Sequence, residues 1–141
     1  MKSFISVVRL SLLILVLFSC RKEKTTYSNQ KVVGQWRWIQ SSGGFIGNQV
    51  VKPATTEFVT VTLSKDFTYV ASLNNQPMSR GNFFFTTLQT GDTVIHFDKV
   101  VQVDKLYLQD QQLLERADNS YLALFDYSVS EGRSHQFQRV K

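Results

Sequence analysis

Cysteine is almost absent. The 141-residue chain has one, Cys20, so no internal disulfide and no cysteine-based metal cluster can form. There are two histidines, His96 and His135, far apart and without metal-ligand spacing, and each is expected to be an exposed strand residue. Alanine and glutamate, strong helix formers, number four each, against 16 valines, 11 threonines and 11 phenylalanines, which excludes an all-helical fold. Only 19% of residues are charged. From Thr25 onward eleven basic and ten acidic residues are scattered singly, so the basic stripe that nucleic-acid binding needs is missing. The sequence holds no G-x-S-x-G, no glycine-rich phosphate loop and no HExxH. Asp98, Asp104, Asp110, Glu115 and Asp126 are dispersed over strands and turns, and spacing alone does not pair them across a cleft. The expectation is a protein that is not an enzyme, with no metal and no cofactor. What is present, 43% hydrophobic residues, suffices for one core and excludes global disorder.

The longest apolar run, Leu10 to Phe18, is too short to cross a bilayer core of about 30 Å. With Lys2 and Arg9 before it, residues 1–19 read as an export signal. At its end Leu17-Phe18-Ser19-Cys20 resembles the bacterial lipobox. That resemblance implies diacylglycerol on the Cys20 thiol, cleavage before it and an acyl chain such as palmitate on the new amine. Two or three chains, at about 0.8 kcal/mol per buried methylene, make a durable membrane anchor. The expected location is the cell envelope, at the outer membrane, because Arg21 rather than an acidic residue follows Cys20. Residues 20–31 read as the lipidated cysteine and a flexible tether, its RKEK cluster lying beside an anionic membrane surface.

The remainder, residues 32–141, breaks into short period-two runs separated by turn residues, the pattern of an all-β fold. Strands are predicted near 34–42, 57–64, 66–74, 79–87, 92–99, 104–109, 112–117, 120–128 and 133–140. The connections are short enough to make consecutive strands neighbours, giving an up-and-down antiparallel β-barrel of eight or nine strands. The exception is residues 43–56, a stretch long enough to fold over one barrel mouth. Alternation turns Val59, Val61 and Leu63 inward, together with Phe67, Tyr69, Ala71 and Leu73. Trp36 and Trp38 share a side, as do Phe83 and Phe85, while Phe84 faces out.

Gly34-Gln35-Trp36 at the start of the first strand is a G-x-W motif, which resembles the lipocalins. With Ser41 to Gly47, Pro53 and Leu63-Ser64-Lys65-Asp66-Phe67-Thr68, residues 32 to 141 are similar to the small lipocalin-like lipoproteins of Bacteroidetes-type bacteria. The resemblance implies a tight entry at Gly34 and a Trp36 indole closing one barrel end beneath a basic residue, for which Arg139 is the best match and Lys141 the second. The aromatic inward side and the long segment at one mouth lead to the expectation of a monomer that binds a small apolar or amphipathic molecule inside the barrel, with Trp38, Val61, Tyr69, Phe83 and Phe85 as candidate lining. The alternative is a solid barrel that docks an envelope protein or a glycan through its loops or outer face.

Overall fold

A computed structural model describes residues 29–45, 47 and 49–141; the export signal, Cys20 and the tether up to residue 28 lie outside the described residues. The elements in order are α1 (Asn29–Val32), β1 (Gly34–Gly43), β2 (Val50–Val51), β3 (Val59–Leu63), β4 (Thr68–Leu73), β5 (Gln76–Thr87) and β6 (Thr93–Phe97). They are followed by β7 (Val101–Val103), β8 (Leu106–Leu108), β9 (Gln111–Ala117), β10 (Tyr121–Asp126) and β11 (Arg133–Arg139). Eight strands, β1, β3, β4, β5, β6, β9, β10 and β11, pair antiparallel in chain order, and β11 returns to β1 to close the barrel. The short β2 is an extra strand beside the end of β1, at Ser41 and Ser42.

The turns follow their residue chemistry. Asn74 and Asn75 both adopt left-handed backbone, at φ 50° and 68°, the pair of conformations that joins two strands through two residues. Pro77, which cannot donate to a ladder, sits where the β4–β5 register slips. Inward side chains from all round the barrel form one core that includes Trp36, Trp38, Val59, Val61, Leu63, Tyr69, Phe97, Leu122 and Phe137. Among the described residues every core side chain lies between Val32 and Phe137, within α1 and the barrel.

Two expectations about the ends of the barrel are corrected. The described residues of segment 43–56 do not form the cover: they are exposed or half-buried, Gly43 pairs with Arg133 and β2 with β1, and of them Val51 packs against the core. The cover at that end is the β7–β8 hairpin, which turns through Asp104 at φ 49° and buries Val101, Val103, Leu106 and Leu108 against the core. The strand expected at 104–109 is its second strand, β8, whereas β7, only three residues long, is too short to show a period and is not among the predicted strands. At the other end, residues 29–31, expected as tether, belong to the folded unit. They form α1 with Val32, whose side chain is buried in the core.

Trp36 closes the α1 end. Its indole N–H donates to the Val32 carbonyl at 2.7 Å, and the Arg139 guanidinium lies over the ring with Cζ 4.1 Å from the centroid. Arg139 also donates to the carbonyls of Val33 at 2.9 Å and Lys31 at 2.7 Å, tying the C-terminal strand to the helix. Gly34 makes room for this: its backbone is left-handed at φ 148°, and a Cβ there would overlap the Arg139 guanidinium.

Candidate functional site

The interior of the barrel is occupied by its own side chains. Trp38 and Tyr69 are wholly buried and Val61 is 3% exposed, so these three candidate lining residues pack against protein rather than along a cleft. Burial raises the Tyr69 phenol above its ordinary pKa. Phe83 and Phe85, the other two candidates, do reach a cleft of about 480 Å³, within the size range of small-ligand sites. It lies at the α1 end, where Gln30 and Val33 form one side and the β3–β4 turn, through Ser64, Lys65 and Phe67, forms another.

That turn explains the cleft. The Phe67 N–H closes a four-residue turn on the Ser64 carbonyl at 3.1 Å, and the Ser64 N–H returns to the Thr68 carbonyl at 2.9 Å. Asp66 accepts from the Thr68 N–H at 3.3 Å and hydroxyl at 2.7 Å, which holds its carboxyl below the ordinary range. Phe67 is left at φ 62°, in the position that such hairpins usually give to glycine. For a bulky side chain this conformation costs about 1–2 kcal/mol. The ring is nevertheless 45% exposed. It stands edge-on to Phe83 at 5.8 Å and to Phe85 at 6.4 Å between centroids, while Phe83 and Phe85 meet at 5.5 Å. Phe83 continues the aromatic contact to Phe97 and thence Tyr69 in the core. The cleft thus has an apolar wall of interlocking phenylalanine rings and one exposed cation, Lys65, among its lining residues.

At the opposite end the barrel holds a buried polar chain. His135, expected at the surface, is wholly buried. It faces inward with Phe137, two residues on, so strand alternation carried the signal. Ser41 reaches the same interior because a register slip between Trp38 and Gln40 shifts the inward side of β1. The Trp38 indole N–H, which can only donate, gives its proton to Ser41 Oγ at 3.0 Å. The Asp126 carboxylate can only accept, so His135 Nε2–H donates to its Oδ1 at 3.0 Å, and the neutral ring leaves Nδ1 to accept from the Ser41 hydroxyl at 2.7 Å. Gln112 donates to the same oxygen at 2.6 Å, and the Arg133 N–H reaches Asp126 Oδ2 at 3.2 Å. Burial pushes the Asp126 pKa up, but the hydrogen bonds from His135, Gln112 and Arg133 outweigh it and hold the carboxyl below the ordinary range.

The order Ser–His–Asp is that of a hydrolytic triad, but access runs the wrong way. Ser41 is 2% exposed with an indole N–H on its oxygen, and the member that borders an open recess, of about 330 Å³, is Asp126. The other histidine, His96, is half-buried on the outer face, stacked on exposed Phe84 at 4.6 Å and bonded to the Thr86 hydroxyl. Among the described residues no group of three or more His, Cys, Asp or Glu side chains is placed to hold a metal ion. No family model, curated protein or solved structure matches this chain.

Proposed function

We propose that this chain is a lipocalin-like lipoprotein of the bacterial envelope, without enzymatic activity, that holds a small amphipathic molecule at one end of its barrel. The observation that carries the reading is Phe67. A half-exposed phenylalanine kept in a strained backbone conformation, beside two further phenylalanines in a cleft, costs stability that packing alone does not require. The apolar part of the ligand would lie on Phe67, Phe83 and Phe85, and an anionic group would meet Lys65. The filled barrel interior supports a ligand at this mouth rather than inside the barrel. The sealed Ser41 hydroxyl supports a structural role for the Ser–His–Asp chain.

Anilinonaphthalene sulfonate, an aromatic amphiphile with one negative charge, is a direct probe of the cleft. The chain from Arg21 onward, which contains every described core residue, is expected to bind it at one site. Phe67→Gly relieves the backbone strain while removing the ring, so its stability should stay within about 1 kcal/mol of the parent. Its affinity for the probe should fall at least tenfold. Equal affinity in the two proteins would remove the cleft from consideration.

The anchor has its own test. Full-length chain expressed in a lipoprotein-processing bacterium should fractionate with membranes and incorporate labelled palmitate, and Cys20→Ser should do neither. Labelled, membrane-bound Cys20→Ser protein would refute lipidation at that residue.

A further inference from the structure

The cleft is bounded by a gap in the barrel wall as well as by side chains. Strand β5 runs to Thr87, but its pairing with β4 ends at Thr68 opposite Asn82, and the Phe83 N–H makes the last bond across, to the Phe67 carbonyl at 2.8 Å. Beyond that point the chain before β4 turns away toward β3. The Asn82 carbonyl accepts from Asp98, and Leu88 donates to Asp92, on the β6 side of β5. Alternation then directs the backbone groups of Phe84 and Thr86 to β6 and those of Phe85 and Thr87 to the gap. Among the described residues no strand pairs with Phe85 or Thr87 on that side. Strand edges of this kind are templates for another chain.

We infer that the cleft receives a short extended peptide, added to the open edge of β5 where β4 stops. This rests on the cleft being the binding site and names the class of its ligand. The edge offers a donor and an acceptor at Phe85 and again at Thr87, the repeat of a peptide backbone and not of a hydrocarbon chain. A peptide side chain on the inward face enters the space beside Phe67, Phe83 and Phe85, whose apolar wall selects a bulky aliphatic or aromatic group. Lys65 at the cleft complements a carboxylate on the same peptide. Backbone pairing supplies affinity, and the phenylalanine cage supplies selection.

The test uses capped pentapeptides Val-Thr-Xaa-Thr-Glu with alanine, leucine or phenylalanine at the centre, and the chain from Arg21 onward. Leucine or phenylalanine should bind at least tenfold more tightly than alanine. The decisive comparison is between two analogues of the best peptide, N-methylated at consecutive amides. Only one edge of an added strand pairs with β5, so one analogue should lose at least tenfold in affinity and the other should keep it. On peptide addition, hydrogen exchange at the Phe85 and Thr87 amides should slow at least tenfold. Binding of anilinonaphthalene sulfonate with no peptide binding, or with both methylated analogues equal, overturns the peptide inference and leaves the cleft reading standing. Failure of both probes overturns both. Protection of Phe85 and Thr87 that grows with protein concentration in the absence of peptide would identify a second copy as the occupant and likewise overturn the inference.

Discussion

Replacing Trp36 by alanine is expected to cost about 3–5 kcal/mol, the range for a buried tryptophan and a large share of the stability of a domain this size. The indole is wholly buried, spends its N–H on the Val32 carbonyl, and forms the floor on which Arg139 lies. Arg139→Ala should cost less, about 2–3 kcal/mol, from the cation–π contact and the two bonds to the Val33 and Lys31 carbonyls. Those carbonyl bonds make Arg139 more than a lid on the tryptophan: it joins the last strand to α1 and, through α1, to one side of the cleft. Because removing the indole also removes the surface that positions the guanidinium, the double variant should cost less than the sum of the single ones by about 0.5–2 kcal/mol. Urea unfolding of the four proteins measures this. Strict additivity would mean that Trp36 and Arg139 are independent neighbours, despite a separation of 4.1 Å.

This pair was legible in the sequence through the resemblance, since the G-x-W motif implies a basic residue over Trp36, and Arg139 was its best match. The barrel was legible from the residues themselves: alternation in Val59-Thr60-Val61-Thr62-Leu63 and the paired turn asparagines are local signals that closure does not override. The polar chain was half legible. His135 shares an inward side with Phe137, and Asp126 shares one with Leu122 and Leu124, so alternation alone places both inside. Ser41 was not accessible to that reasoning, since an undisturbed alternation from Trp36 and Trp38 would turn Gln40 inward instead, and only the register slip at Ile39 reverses it. The cleft was the least visible. It arises because β5 outruns β4 and because Phe67 takes a glycine conformation, and both are properties of pairing between segments rather than of either segment's pattern. The candidate ligand residues were therefore placed correctly on the inner face while the open space beside them was not foreseen. Phe83 and Phe85 meet it only because β4 ends before it reaches them.

The buried end of the barrel should show itself in the pH dependence of stability. The folded protein holds Asp126 below the ordinary carboxyl range, so between the unfolded value, about 3.9, and the lower folded value the unfolded state binds the extra proton. Its contribution to stability is complete above about pH 5 and is lost as pH falls through the folded pKa. Asp126→Ala removes the acceptor for His135 Nε2–H, Gln112 and the Arg133 N–H together, and should cost about 3–5 kcal/mol at neutral pH. Asp126→Asn keeps the shape but cannot ionise, and one of its amide protons must face a donor; it should be destabilised at neutral pH and lose the Asp126 part of the acid slope. Asp66 and Asp118 are also held low, by hydrogen bonds at exposed turns, so the wild-type slope alone does not isolate Asp126. The difference between wild type and Asp126→Asn cancels the turn carboxylates, which are common to both, and leaves Asp126 with its bonded partner His135. Unfolding free energies from about pH 7 down to about pH 2 should give two curves that converge as the pH falls below about 4. A constant separation over that whole range would show that Asp126 ionises alike in the folded and unfolded chains. It would also mean that the hydrogen bonds from His135, Gln112 and the Arg133 N–H do no more than offset the burial of the carboxylate.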